Sequence, residues 1–262
     1  MIIKANAKIN KYLKVLGKRE DGFHELETLM IPIDLFDYIE IEKSEYDLFE
    51  CIGENIEDNI VLKALKLFRE KTGINESVKI KVTKNIPIGA GLGGGSSDAV
   101  FTIEGLNELF NTCLSKKELE NMVLELGSDT LFFVNNKAQI ISGRGEKSQI
   151  VELEKIYGVL VFDGDSYSTK LVFESFDKIE AKREGLNNDL LLGIERIYNI
   201  EKIQNIKAIL LESGCYYSEM TGSGSSVFGL CRTREETEAI CEKIKNKYLK
   251  VVCFESIEGK GV

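Results

Sequence analysis

Polar and apolar positions alternate in two short stretches of the first third of the chain. Residues 37–42, DYIEIE, switch at every step, as a strand with one buried face does. Residues 78–82, VKIKV, place Val78, Ile80 and Val82 on one side. Between them, residues 59–69 carry Ile60, Leu62, Ala64, Leu65 and Phe68 at helical spacing. The middle of the chain keeps the helical period: Ala99, Val100, Ile103, Leu106, Leu109 and Phe110 recur at three and four residues. Ser115 and Glu118 have the spacing of a capping box ahead of Leu119, Met122, Val123 and Leu126, and Gly127 is expected to end that helix. Residues 138–142 and 157–162 read as strands. The last hundred residues mix helices, around 188–199, 204–213 and 234–247, with strands around 226–231 and 250–257, and Thr233 with Glu236 predicts a second capping box. The polar stretch from Gly143 to Glu154 is the expected boundary, giving an α+β chain of two units, 1–152 and 153–262.

Composition narrows the classes. The chain has 262 residues, 43% hydrophobic and 29% charged, which is globular and excludes a mainly disordered protein. No apolar run approaches the roughly 20 residues of a membrane span. Thirty-four basic residues against 43 acidic ones leave a net charge of −9, which argues against a nucleic-acid partner. A small anionic ligand stays compatible with that charge if one pocket is locally electropositive. The N-terminal MIIKANAKIN has no apolar segment of the secretory kind. Six cysteines without a CxxC pair, and a single histidine, argue against a zinc site and read as reduced thiols of a cytoplasmic protein.

The most informative segment is 85–98, NIPIGAGLGGGSSD, between an expected strand and an expected helix. Five of the seven residues from 89 to 95 are glycine. Glycine lets the backbone come close to a ligand, and consecutive N–H groups at a helix start form a nest for anions. Ser96, Ser97 and Asp98 are expected to supply capping side chains. No lysine follows Gly94, so the Walker A loop is excluded. Gly89, Gly91 and Gly94 match GxGxxG, but the next element is a further capped helix and not the strand that a dinucleotide fold needs. The protein-kinase loop fails at Ser96, where valine belongs. A phosphate cradle is the reading that remains.

The string PIGAGLGGGSSDA at 87–99 resembles the ATP-binding motif of the GHMP kinases, and AKIN at 7–10 and MTGSGSSVFG at 220–229 match two further motifs of that superfamily. REDGFHELET at 19–28, EDN at 57–59 and GSD at 127–129 are similar to the branch whose acceptor is a cytidine diphosphate-linked methylerythritol, an intermediate of non-mevalonate isoprenoid biosynthesis. The resemblance implies an N-terminal domain like the second domain of ribosomal protein S5, a ferredoxin-like C-terminal domain, and phosphoryl transfer from ATP with Mg²⁺ in the cleft between them. It implies an ATP site at Pro87, Gly89, Ala90, Gly91, Leu92, Gly93, Gly94, Gly95, Ser96 and Ser97, with Asn59 near the adenosine.

The resemblance also implies that Asp129 takes the proton of the acceptor hydroxyl and that Lys8 keeps its carboxylate charged. Read by position alone, Asp129 is a helix N-cap and Lys8 a solvated strand lysine. Asn10 matches a substrate-contacting asparagine. His24 matches the residue that hydrogen-bonds the cytosine, between Phe23, where tyrosine is usual, and Phe173, which periodicity alone would place in the core. Thr221, Gly222, Ser223 and Gly224 match a loop beside the site. Ser97 is one candidate ligand for Mg²⁺, beside phosphate oxygens and water. Lys11 stands where an apolar residue is usual, and Leu131 where proline is. Two alternatives stay open: a kinase of the homoserine or mevalonate type, and a non-catalytic nucleotide-binding protein on the same scaffold. A monomer and a homodimer are equally compatible with the sequence.

Overall fold

The computed structural model describes residues 1–53, 59–127, 129–179 and 185–259. Two long strands, β1 (Ile2–Lys18) and β2 (His24–Lys43), form an antiparallel hairpin. The other edge of β2 is shared. β4 (Val78–Thr83) pairs with Tyr38–Lys43, and β5 (Gln139–Gly143) pairs with Leu26–Met30. β3 (Leu48–Ile52) and β6 (Lys147–Ile150) complete this first sheet. Pro32 falls in the gap between the β4 and β5 pairings, where a strand residue without an N–H is tolerated.

Four helices cover one face of this sheet: α1 (Ile60–Thr72), α2 (Gly94–Phe110), α3 (Lys116–Val123) and α4 (Thr130–Asn135). Val61, Phe68, Val100, Ile103 and Phe132 meet Ala5, Met30, Ile39 and Ile80 there. The opposite face packs on a second sheet. Ala7, Ile9, Leu29 and Ile31 meet Leu160, Phe228, Leu230 and Phe254. The centre of the hairpin is therefore buried on both sides. Residues 5–10 and 28–33 are continuously buried, so they lack the alternation that marks 37–42.

The second sheet holds β7 (Tyr157–Phe162), β8 (Tyr217–Met220), β9 (Val227–Cys231) and β10 (Lys250–Glu255) in the order β10-β7-β9-β8. Between β7 and β8 lie α5 (Thr169–Phe176), α6 (Leu190–Glu195) and α7 (Glu201–Glu212). α8 (Arg234–Ile244) joins β9 to β10. All neighbours are antiparallel, which is the β-α-β-β-α-β pattern of ferredoxin-like folds. Residue 152 falls between β6 and β7. Leu13 and Val15 of β1 nevertheless pack into the core of the second sheet's helical face, so the two halves share the hairpin.

Three local expectations need correction. α2 starts at Gly94 with Gly93 as its N-cap, so Ser96, Ser97 and Asp98 lie inside the helix and do not cap it. α3 ends at Val123 and not at Gly127, because the Val123 carbonyl already accepts from Leu126 N–H and from the Thr130 hydroxyl. The Ser115–Glu118 capping box is complete, but its counterpart is half made: Thr233 caps Glu236 N–H, while the Glu236 carboxylate accepts from Arg232 N–H. Among the described residues no helix is long and apolar enough to cross a membrane.

Candidate active site

A cavity of about 930 Å³ lies where the hairpin, the glycine loop and the second sheet's helices meet. The loop after β4 brings Pro87 and residues 89–96 to its wall, with Asn59 and Ile60 alongside. β1 contributes Lys8 and Asn10, the turn into β2 contributes Phe23 and His24, α4 contributes Asp129, and α5 contributes Phe173. Gly222 and Ser223 reach it from the β8–β9 loop. Thr221 and Ser97 are fully buried, and they and Gly224 do not line the cavity. Glu57, Asp58 and Ser128 of the sequence motifs lie outside the described residues.

The glycine loop turns its acceptors toward the protein. The Leu92 carbonyl accepts from Lys8 N–H at 2.9 Å, and the Gly91 carbonyl accepts from Lys8 Nζ at 2.9 Å and Thr221 Oγ1 at 3.1 Å. Ala90 O accepts from Ser226 N–H, Gly89 O from the Ser166 hydroxyl, and Gly93 O from Ser97 N–H. Ser97 is the first residue to donate into the helical ladder. The N–H groups of Gly94, Gly95 and Ser96 therefore have no helical partner, and those residues line the cavity. The positive end of the α2 dipole adds to them. Gly91, at φ 76°, must be glycine: a Cβ there would stand 2.1 Å from the Thr221 carbonyl. The two Gly/Ser loops thus pack back to back. Asn188 supports the second by donating to the Met220 and Gly222 carbonyls.

Lys8 and Asp129 face each other at the end of this loop. Lys8 Nζ lies 3.6 Å from Asp129 Oδ2 and donates to Asn10 Oδ1 at 2.6 Å. Burial pushes the ammonium below the usual lysine range, and Asp129 pulls it back up. Asp129 holds the N-cap position of α4, yet its side chain makes no capping bond and is 40% exposed. The carboxylate is available to a ligand. Asn10 also donates to Thr28 Oγ1 and, through its backbone, to Thr221 Oγ1, so it ties β1 to both β2 and the second loop.

The aromatic end of the cavity is differently arranged from a simple sandwich. Phe23 is half-exposed, with the Arg144 guanidinium 5.1 Å from its ring. His24 stacks on Phe173 with centroids 4.8 Å apart, and its Nε2 lies 2.5 Å from Asp177 Oδ1.

Several residues of the site escaped the sequence reading. Lys84, just before the loop, is buried between Asp37 and Asp98, and the other oxygen of Asp37 accepts from Asn85 and Ile86 N–H. Burial pushes the Asp98 carboxyl up, against the pull of Lys84. This cluster pins both ends of the glycine segment. Asp98 lies inside the quoted motif and Lys84 beside it, but Asp37 sits in an ordinary alternating strand, and nothing in the sequence marks it as buried. Arg144, Lys18 and Asp177 likewise line the cavity. Among the described residues no group of three or more His, Cys, Asp or Glu side chains could hold a metal ion.

Two family models match the chain: the GHMP kinases N terminal domain over residues 59–137 and the GHMP kinases C terminal domain over residues 173–250. The chain is 38% identical to a 4-diphosphocytidyl-2-C-methyl-D-erythritol kinase of Caldanaerobacter subterraneus subsp. tengcongensis, over 99% of this chain and 98% of that relative. It is 36% identical to the kinase of the same name from Clostridium beijerinckii, over 98% and 100% of the two chains. A crystal structure of 4-(cytidine 5'-diphospho)-2C-methyl-D-erythritol kinase superposes with a TM-score of 0.85 at 27% identity, covering 99% of this chain and 100% of that one. The Methanococcus jannaschii mevalonate kinase shares the fold, with a TM-score of 0.75 at 17% identity over 98% of each chain.

Proposed function

The chain belongs to the GHMP kinases, and within them to the 4-diphosphocytidyl-2-C-methyl-D-erythritol kinases; from that footing we propose that it moves the terminal phosphoryl group of ATP to the 2-hydroxyl of that cytidylyl compound. It is an ATP-dependent small-molecule kinase. The observation that carries the assignment of roles is the polarity of the glycine loop. Each carbonyl from Gly89 to Gly93 is occupied by a protein donor, while the N–H groups that open α2 have no helical partner. Such a surface attracts the oxygens of a triphosphate and offers them no competing acceptor.

Phosphoryl transfer depends mostly on alignment and on offsetting charge. Asp129 is the exposed carboxylate at the end of the cradle, and it would accept the proton of the attacking hydroxyl. Lys8, held by Asn10 and the Gly91 carbonyl, keeps that carboxylate ionised and places a positive charge beside the oxygen that attacks. Asn10 fixes Lys8 through its side-chain oxygen and lines the cavity beside it. The aromatic end, with Phe23, His24 and Phe173, would take the cytosine. Mg²⁺, when bound, offsets phosphate charge. The described side chains bring one carboxylate to the transfer point, so the ion would be held chiefly by phosphate oxygens and water. Ser97 Oγ is buried, without a hydrogen-bond partner, behind the wall of the cavity.

A coupled ADP-release assay tests the acceptor. Turnover with 4-diphosphocytidyl-2-C-methyl-D-erythritol, and none with mevalonate or homoserine, is expected. The reverse preference would reject the reading.

A further inference from the structure

His24 is the chain's single histidine. It opens β2 and leans on the C-terminal end of α5, with Phe173 stacked on its ring and Phe176 edge-on at 6.5 Å. Asp177 is the C-cap of α5. Its Oδ1 lies 2.5 Å from His24 Nε2, and its Oδ2 accepts from Lys18 Nζ at 2.5 Å. A carboxylate is a poor residue for this place, since the end of a helix is its negative pole. Helix capping therefore does not account for Asp177. Its partners do: burial opposes its charge, and the hydrogen bonds from Lys18 and His24 overcome that and hold the carboxyl below its ordinary range.

An ionised carboxylate only accepts, so the ring nitrogen facing it carries the proton. In the neutral ring the other nitrogen, Nδ1, then keeps a lone pair. No hydrogen bond from a described residue reaches Nδ1, and His24, Phe173 and Asp177 all line the cavity that Phe23 and Lys8 share. The ring thus offers an acceptor to the aromatic end of the site. Cytosine carries an amine at its C4 position, and uracil carries a carbonyl there. An acceptor suits the first and repels the second.

We propose that Asp177 is a positioning residue that fixes His24 as the Nε2–H tautomer, so that Nδ1 selects a cytosine base over a uracil base. The inference deepens the reading of the acceptor as a cytidylyl compound and rests on it. Lys18 serves the same end by keeping Asp177 ionised and engaged from the far side.

With one histidine in the chain, ¹⁵N-histidine labelling gives a single imidazole to observe. At a pH well above the ordinary imidazole pKa of about 6.5, the wild-type spectrum is expected to show Nε2 protonated and Nδ1 bare. Nδ1–H as the main tautomer would overturn the proposal without any variant being made. CDP and UDP serve as the ligand probes. Wild type is expected to bind CDP the more tightly, and Asp177→Ala to narrow that preference by roughly tenfold, the scale of one lost hydrogen bond at a buried partner. Asp177→Ala is also expected to mix the two tautomers and to raise KM for the cytidylyl substrate more than it lowers kcat. Asp177→Glu, which restores a carboxylate, should recover part of the preference. An unchanged tautomer and an unchanged CDP/UDP ratio in Asp177→Ala, with the ratio lost in His24→Ala, would overturn the role of Asp177 and leave the cytidylyl reading standing. Equal binding of CDP and UDP by wild type would overturn both.

Discussion

Gly91→Ala separates two costs that the structure sets side by side. Gly91 has φ 76°, and a Cβ added there would lie 2.1 Å from the Thr221 carbonyl oxygen and 3.2 Å from that of Gly224. These neighbours are backbone and cannot rotate away. The left-handed conformation alone disfavours alanine by about 1–2 kcal/mol, and forcing atoms into filled space adds about 1–3 kcal/mol. In a chain of this length each kcal/mol lowers Tm by about 2–4 °C, so a fall of roughly 4–20 °C is expected. The functional consequence should be larger than the thermal one. The Gly91 carbonyl anchors Lys8 Nζ, and a displacement of about 1 Å at a reacting group can slow turnover about a hundredfold. Gly73→Ala is the control. It has nearly the same conformation, φ 74°, at the C-cap of α1, with nothing within 4 Å of its added Cβ. It should show the conformational part alone, with kcat intact. Calorimetric melts and kcat at saturating ATP read the two effects. If Gly91→Ala matched Gly73→Ala in both, the packing of the two loops would not be what positions Lys8.

Two other outcomes are expected. Lys84→Met leaves Asp37 and Asp98 buried together without their cation, which should destabilise the fold by about 3–5 kcal/mol in urea titration; a change under about 1 kcal/mol would mean that the cluster does not anchor the loop. Because burial lowers the Lys8 pKa, activity that needs its charge should fall as pH rises through a value below the ordinary lysine pKa of about 10.4. The folded chain releases that proton before the unfolded chain does, so stability should rise with pH across the same interval. A pH–rate profile and melts over that range check both signs, and an alkaline limb at or above the ordinary lysine value would contradict them.

The parts of the fold that were legible in the sequence are those fixed by near neighbours. The Ser115 capping box, the alternation in β4 and the strand at Tyr157–Phe162 depend on residues a few positions apart, and they appear where expected. The long hairpin shows an alternating pattern only over 37–42, because its middle is covered on one face by α2 and on the other by the second sheet, and burial on both faces removes the period. Among candidate site residues, the glycine loop announced itself through its composition. Lys8, Asp129 and His24 needed the family resemblance, since each has an ordinary structural reading of its own. Asp37, Asp177 and Asn188 left no signal. Their partners lie far along the chain, Lys84 for Asp37, His24 for Asp177 and Met220 for Asn188, and only the folded chain brings those pairs together.

The most direct test of phosphoryl transfer at this site is one preparation of Asp129→Asn, assayed twice. The exchange keeps the shape of the side chain and removes its capacity to take a proton. ATP affinity, measured by calorimetric titration, should stay near that of wild type, because the proposed role gives the triphosphate to the loop amides and not to Asp129. Turnover of the cytidylyl alcohol should fall to background in the same sample. Near-normal turnover with intact ATP binding would show that the proton of the acceptor leaves by another group and that the Lys8–Asp129 pair is not the reacting centre.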